Sequence, residues 1–151
     1  MPRPAAPRPA APEPAALWEL GAEAIARGVG TGEFSAREVV ESCLGRTTQV
    51  EPLIGAYLTL FAEAALERAD DLDRRRRAGE RLGALAGVPV ALKDNLSLAG
   101  TAVTCGSRVL AGYVAPYTAT AVERLLAADA VVLGKTNLDE FAMGSSCENS
   151  A

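Results

Sequence analysis

The sequence predicts an α/β fold, and three observations carry that prediction. Two short apolar runs, Val88-Pro89-Val90-Ala91-Leu92 and Ala130-Val131-Val132-Leu133, have strand length, and a stretch with helical spacing lies between them. Strand, crossover helix and strand in that order imply parallel pairing. Aromatic residues are only 5% of a chain that is 49% hydrophobic, so the core is expected to be aliphatic helices on Val-rich strands and not an aromatic-rich sandwich. The 151 residues suit one domain, which usually takes ~100–200 residues.

Residues 1–16 hold six of the nine prolines in a Pro/Ala mixture, read as a disordered or polyproline-like leader ahead of a folded part over 17–151. Leu17, Leu20, Ala24 and Ile25 then follow helical spacing until Gly28, Gly30 and Gly32 interrupt it. Ser35 with Glu38 three residues on is a capping box. It opens a second helix whose buried face is Val39, Val40, Cys43 and Leu44. After Pro52, residues 56–60 alternate as a strand. A third helix follows with Ala62, Ala65, Leu66, Ala69 and Leu72 on one side. Arg74 to Arg77 close it. Four arginines invite a nucleic-acid reading, but they follow Asp70, Asp71 and Asp73 and complement a helix C-terminus, so a solvated helix end is expected. Beyond the strand at 88–92, a Gly- and Thr-rich loop runs from 100 to 112, and Thr118 or Thr120 can cap the crossover helix.

Composition excludes several functions. A formal charge of −4 argues against direct nucleic-acid binding. The chain has no histidine, which removes Ser-His-Asp, Cys-His and His-based metal chemistry. Cys43, Cys105 and Cys147 are odd in number and lack ligand spacing, which points to reduced thiols and no metal site. There is no apolar run for a membrane span and no secretory h-region, so the expected location is the cytoplasm.

Lys93 comes directly after the strand at 88–92, where α/β active sites gather. A lysine there loses water on several sides, desolvation disfavours its charged form, and a neutral amine can act as a base. The residues alone favour the plainer reading, a strand-end lysine paired with Asp94. Gly134-Lys135-Thr136 is not a phosphate-binding loop, because Asp129 stands where that motif needs a glycine. Asn95-Leu96-Ser97 matches a glycosylation sequon, but nothing marks the chain for secretion. Ser145 and Ser146 offer hydroxyls in a turn, with no base or oxyanion donor assigned to them by sequence.

Two longer runs carry more information. Gly87-Val88-Pro89-Val90-Ala91-Leu92-Lys93-Asp94-Asn95, followed by Gly100-Thr101-Ala102-Val103-Thr104-Cys105-Gly106-Ser107, resembles the amidase-signature family. Gly134-Lys135-Thr136-Asn137-Leu138-Asp139-Glu140-Phe141-Ala142-Met143-Gly144-Ser145-Ser146 is most similar to the branch of that family found as the A subunits of glutamyl-tRNA(Gln)/aspartyl-tRNA(Asn) amidotransferases. The resemblance covers 17–151.

The resemblance implies the N-terminal part of a single large α/β domain, a mixed sheet flanked by helices. It makes Lys93 the base of a Ser-cisSer-Lys triad that hydrolyses the glutamine side-chain amide, and gives Met143 and Gly144 a pocket-lining role. It implies no cofactor or metal on this chain. The implied partners are amidotransferase subunits B and C, in a cytoplasmic ligase heterotrimer. ATP and Mg²⁺ belong to the larger of these partners, which amidates misacylated tRNA, and the smaller one sits at the interface. Contact with tRNA is then indirect.

Two departures stand out. The Gly-Gly-Ser-Ser-Gly-Gly-Ser stretch with both triad serines does not occur within the 151 residues, so the chain is expected to be a truncated fragment, inactive and aggregation-prone alone. Asp129 also replaces the glycine expected to end the preceding helix. A freestanding amidase-signature hydrolase and a non-catalytic partner-binding fragment are the alternatives.

Overall fold

The computed structural model describes residues 14–151, with side chains from Leu17 onward. The leader expected over 1–16 lies mostly outside the described residues. Its last three residues open a 3-10 helix, Pro14–Glu19, so that composition placed its boundary too late.

Helix α1 spans Ala22–Thr31 and contains both Gly28 and Gly30, which the sequence pattern treats as interruptions. The reason is packing. A Cβ at Gly28 would overlap the Phe34 ring, so the glycine gives that ring a seat on an unbroken helix. The helix ends one turn later at Gly32, whose φ of 74° lets its N–H reach back to the carbonyls of Gly28 and Val29.

Helix α2, Ala36–Ile54, begins with the expected capping box: the Ser35 side chain accepts from Glu38 N–H, and Glu38 accepts from Ser35 N–H at 2.7 Å. A second anion serves the same end. Asp73 accepts from Ala36 N–H at 2.9 Å and from Arg37 N–H at 3.1 Å, which binds α2 to the next helix. Pro52 does not end α2, which runs on to Ile54 and stops at Gly55. A proline in the last turn forfeits a single intrahelical hydrogen bond.

Strand β1 is Tyr57–Leu60, and helix α3 follows at Ala62–Arg77 with Ala65, Ala69 and Leu72 buried as predicted. Its arginine end is only partly solvated. Arg74 pairs with Asp71, whereas Arg75 crosses to buried Asp129 at 2.8 Å. Strand β2 is Pro89–Lys93, helix α4 is Thr120–Ala127 and strand β3 is Val131–Thr136. Neither threonine caps α4: the N-cap is Ala119, and Thr118 Oγ1 accepts instead from Ala99 N–H at 3.1 Å. Strand β3 is longer than its apolar run and includes Gly134, Lys135 and Thr136.

The sheet order is β1-β3-β2. β2 runs parallel to β3, as the crossover requires, and β1 is antiparallel to it. The sheet is therefore mixed and small, with β3 central. Its core joins α1, α2 and α3 to one face through Val29, Val39, Val40, Leu72, Val131 and Leu133. These aliphatic contacts, each side chain worth roughly 1.5–3 kcal/mol on burial, hold β2 and β3 so that their C-terminal ends meet on one side.

Asp129 occupies a left-handed turn, φ 67°, between α4 and β3. A glycine there would need nothing further. Aspartate is retained by three partners: Arg68 at 2.7 Å, Arg75 at 2.8 Å and Gly83 N–H at 2.7 Å. Burial works to raise this carboxyl, but the Arg75 guanidinium, the Gly83 N–H and the charges of Arg75 and Arg68 outweigh it and hold it below the ordinary range.

Candidate active site

The C-terminal ends of β2 and β3 place Lys93 opposite Thr136. Lys93 is exposed, and among the described residues its side chain makes no hydrogen bond or ion pair. Alternation explains this: Ala91 and Lys93 lie on one face of an edge strand and are both exposed, while Leu92 between them is buried. The desolvation expected of Lys93 is therefore not supplied by the described residues.

Asp94 is not its partner either. The Asp94 carboxylate turns inward to Lys135, with Nζ 2.8 Å from Oδ1 and side-chain exposures of 1% and 3%. Lys135 Nζ also donates to the Ala102 carbonyl at 3.2 Å. The other oxygen, Asp94 Oδ2, accepts from Thr104 N–H at 2.8 Å and from its hydroxyl at 2.6 Å. The backbone closes the arrangement: Asp94 N–H donates to Thr136 O at 3.0 Å, Cys105 N–H to Asp94 O at 3.2 Å, and Leu96 N–H to Lys93 O at 2.9 Å. The strand end carrying Lys93 is thus stitched to β3 and to the loop after Gly100. By sequence, Lys135 served only to dismiss a phosphate loop. An isolated lysine in an otherwise buried strand was the available signal.

A cleft of about 270 Å³ opens beside this network, lined by Leu58, Thr59, Asp94, Thr104, Ser107 and Asn137 among others. Asn137 Oδ1 is buried there without a hydrogen-bond partner, while its amide nitrogen donates to Ser150 Oγ at 2.8 Å. Ser107 donates to Glu140, tying the loop to the segment after β3.

Met143 and Gly144 do not line this cleft. Met143 is 79% exposed, and Gly144 packs against the Asp139 carboxylate, where a Cβ would overlap it. Asp139 gathers the N–H groups of Cys147 at 3.0 Å and Asn149 at 3.2 Å. The Cys147 N–H above all, against a smaller effect of burial, holds this carboxyl below its usual range. Ser145 and Ser146 sit in the exposed turn that Asp139 organises. Cys43, Cys105 and Cys147 are all free thiols, and burial pushes the Cys43 thiol up. Among the described residues no cluster of three or more His, Cys, Asp or Glu could hold a metal, and no helix is long and apolar enough to cross a membrane.

The sequence model of the amidase family matches residues 38–151, three quarters of the chain. The chain belongs to the amidase-signature family. This amidase-signature chain is 58% identical over 121 residues to the glutamyl-tRNA(Gln) amidotransferase A subunit of Symbiobacterium thermophilum, covering 80% of the chain and 25% of that protein. Its counterpart in Streptomyces coelicolor is 50% identical over 133 residues, covering 88% and 27%. Among solved structures, the peptide amidase of Stenotrophomonas maltophilia superposes with a TM-score of 0.74 at 36% identity over 82% of the chain and 26% of its own. A bacterial aryl acylamidase of the amidase-signature family gives 0.74 at 30% identity, over 81% and 26%. The amidase-signature chain thus spans about a quarter of the length of the curated relatives it matches. The fold class read from sequence, part of a mixed sheet flanked by helices, agrees with these neighbours.

Proposed function

We propose that this chain is part of the glutamine-hydrolysing, ammonia-supplying subunit of a tRNA-dependent amidotransferase. One observation carries the reading. Relatives named as the A subunit of glutamyl-tRNA(Gln) amidotransferase match at 47–58% identity, whereas the aryl acylamidase and peptide amidase structures match at 30–36%.

In this reading Lys93 is the proton acceptor of a Ser-cisSer-Lys triad. Its neutral amine takes a proton through a bridging serine, and a second serine attacks the glutamine amide carbon. Ammonia departs, and water then releases glutamate. Backbone N–H groups beside the nucleophile hold the oxyanion. The serines belong to a Gly-Gly-Ser-Ser-Gly-Gly-Ser stretch absent from residues 1–151. The exposed Lys93 side chain, on a strand end fixed from below, is free to meet them. Met143 and Gly144 are assigned to the glutamine pocket by the family motif. Ammonia passes within a cytoplasmic complex to subunits B and C. The larger of the two uses ATP and Mg²⁺ on misacylated tRNA, with the smaller at the interface.

The test is ammonia release from glutamine by the full gene product with subunits B and C, wild type against Lys93→Ala. A loss of ~10²–10⁴-fold or more is expected. Undiminished release would remove Lys93 from the chemistry. Activity toward other amides without stable association with subunits B and C would favour the freestanding hydrolase.

A further inference from the structure

We infer that Lys135 is a positioning residue for Lys93, acting through its buried ion pair with Asp94. The inference rests on the proposed role of Lys93 as proton acceptor. It concerns how that group is held, not whether it reacts.

Lys135 is the largest fully buried side chain among the described residues, next to last in β3 after the aliphatic run Val131-Val132-Leu133. Nothing in the packing of β3 calls for a charge there. Its two acceptors, Asp94 Oδ1 and Ala102 O, both lie on the segments that flank the end of β2. Asp94 is the residue after Lys93, and its second oxygen is filled by Thr104. Thr104 Oγ1 in turn accepts from Gly106 N–H at 3.1 Å, so the chain of contacts runs from Lys135 through Asp94 and Thr104 into the loop.

The consequence is mechanical. With the cation in place, the Asp94 carboxylate stays inside and the Lys93–Asp94 peptide stays on the β3 ladder. Without it, a buried carboxylate faces no countercharge and is driven toward water. The shortest route outward moves the peptide that carries Lys93. Misplacing a reacting group by about 1 Å can cost ~10²-fold in rate without touching the chemistry itself.

Removing both charges separates positioning from folding. Asp94→Asn combined with Lys135→Met leaves no lone buried charge, so the full gene product should melt near the wild type. If the pair positions Lys93, this double variant still shows kcat for ammonia release lower by ~10–100-fold with KM for glutamine unchanged. Wild-type kcat in a double variant that melts normally overturns the inference. Thr104→Val is the second probe, removing one hydroxyl and leaving the backbone donor. A several-fold lower kcat at unchanged KM, restored by Thr104→Ser, supports the inference whether or not the double variant folds, and unchanged kcat counts against it. Lys93→Ala run in parallel separates the two failures. Retained activity there defeats the catalytic reading and this inference with it, whereas lost activity beside a fully active double variant defeats only the positioning role.

Discussion

Lys135 Nζ and Asp94 Oδ1 lie 2.8 Å apart with almost no access to water, Lys135 in β3 and Asp94 directly after Lys93, the last residue of the parallel neighbour β2. Buried pairs of this kind are weak evidence of net stability, because both ions lose their hydration. What they impose is geometry, since each charge is tolerable only where the other is. Breaking one partner is therefore the severe change.

Lys135→Met alone should destabilise the full gene product by about 3–5 kcal/mol, because Asp94 remains buried and unpaired. The double variant with Asp94→Asn should recover most of that loss. Urea unfolding of the three proteins checks this. A single variant as stable as the wild type would show that Asp94 reaches water unaided.

Asp129→Asn should lower stability at neutral pH by about 1–3 kcal/mol, the scale of hydrogen bonds to charged groups. Asparagine tolerates the left-handed turn and can still accept from Gly83 N–H, so the change isolates the charge. Because the folded state holds the Asp129 proton less tightly than the unfolded chain does, its contribution is complete above the unfolded carboxylate value of about 3.9 and is lost as pH falls through the folded value. Stability curves of wild type and variant should accordingly converge below about pH 4. A constant gap down to pH 2 would assign the effect to packing.

Gly144→Ala places a methyl against the Asp139 carboxylate that organises 147–149. Overpacking of this sort typically costs about 1–3 kcal/mol. The expected sign is local: faster proteolytic cleavage and hydrogen exchange across 143–149, with the α1–α3 core protected as before. Unchanged exchange in that turn would mean that Asp139 yields without penalty.

Leu58, Leu60, Val109, Val114 and Met143 are exposed, and β1 and β2 are both edges of the three-stranded sheet. Residues 1–151 alone are therefore expected to bind a hydrophobic dye and to self-associate. Sedimentation of a clean monomer with reversible two-state unfolding would contradict this.

Local rules read well where the deciding partners are near in sequence. Ser35 and Glu38 announce the start of α2 because a capping box closes within four residues. The aliphatic runs at β2 and β3, with a helix between them, dictate parallel pairing for the same reason of chain geometry. Gly28 misled because its cause, the Phe34 ring, sits on a different segment from the helix it appears to break.

The sequence by itself determined the family, the α/β class and the strand end that bears Lys93, since each is written in a contiguous run of residues. Only the tertiary structure decided which lysine Asp94 serves. Alternation along β2 sends Lys93 outward, Asp94 directly after the strand turns inward, and the partner waiting there comes from position 135 on the neighbouring strand, a contact that β2–β3 register creates and that no local spacing encodes.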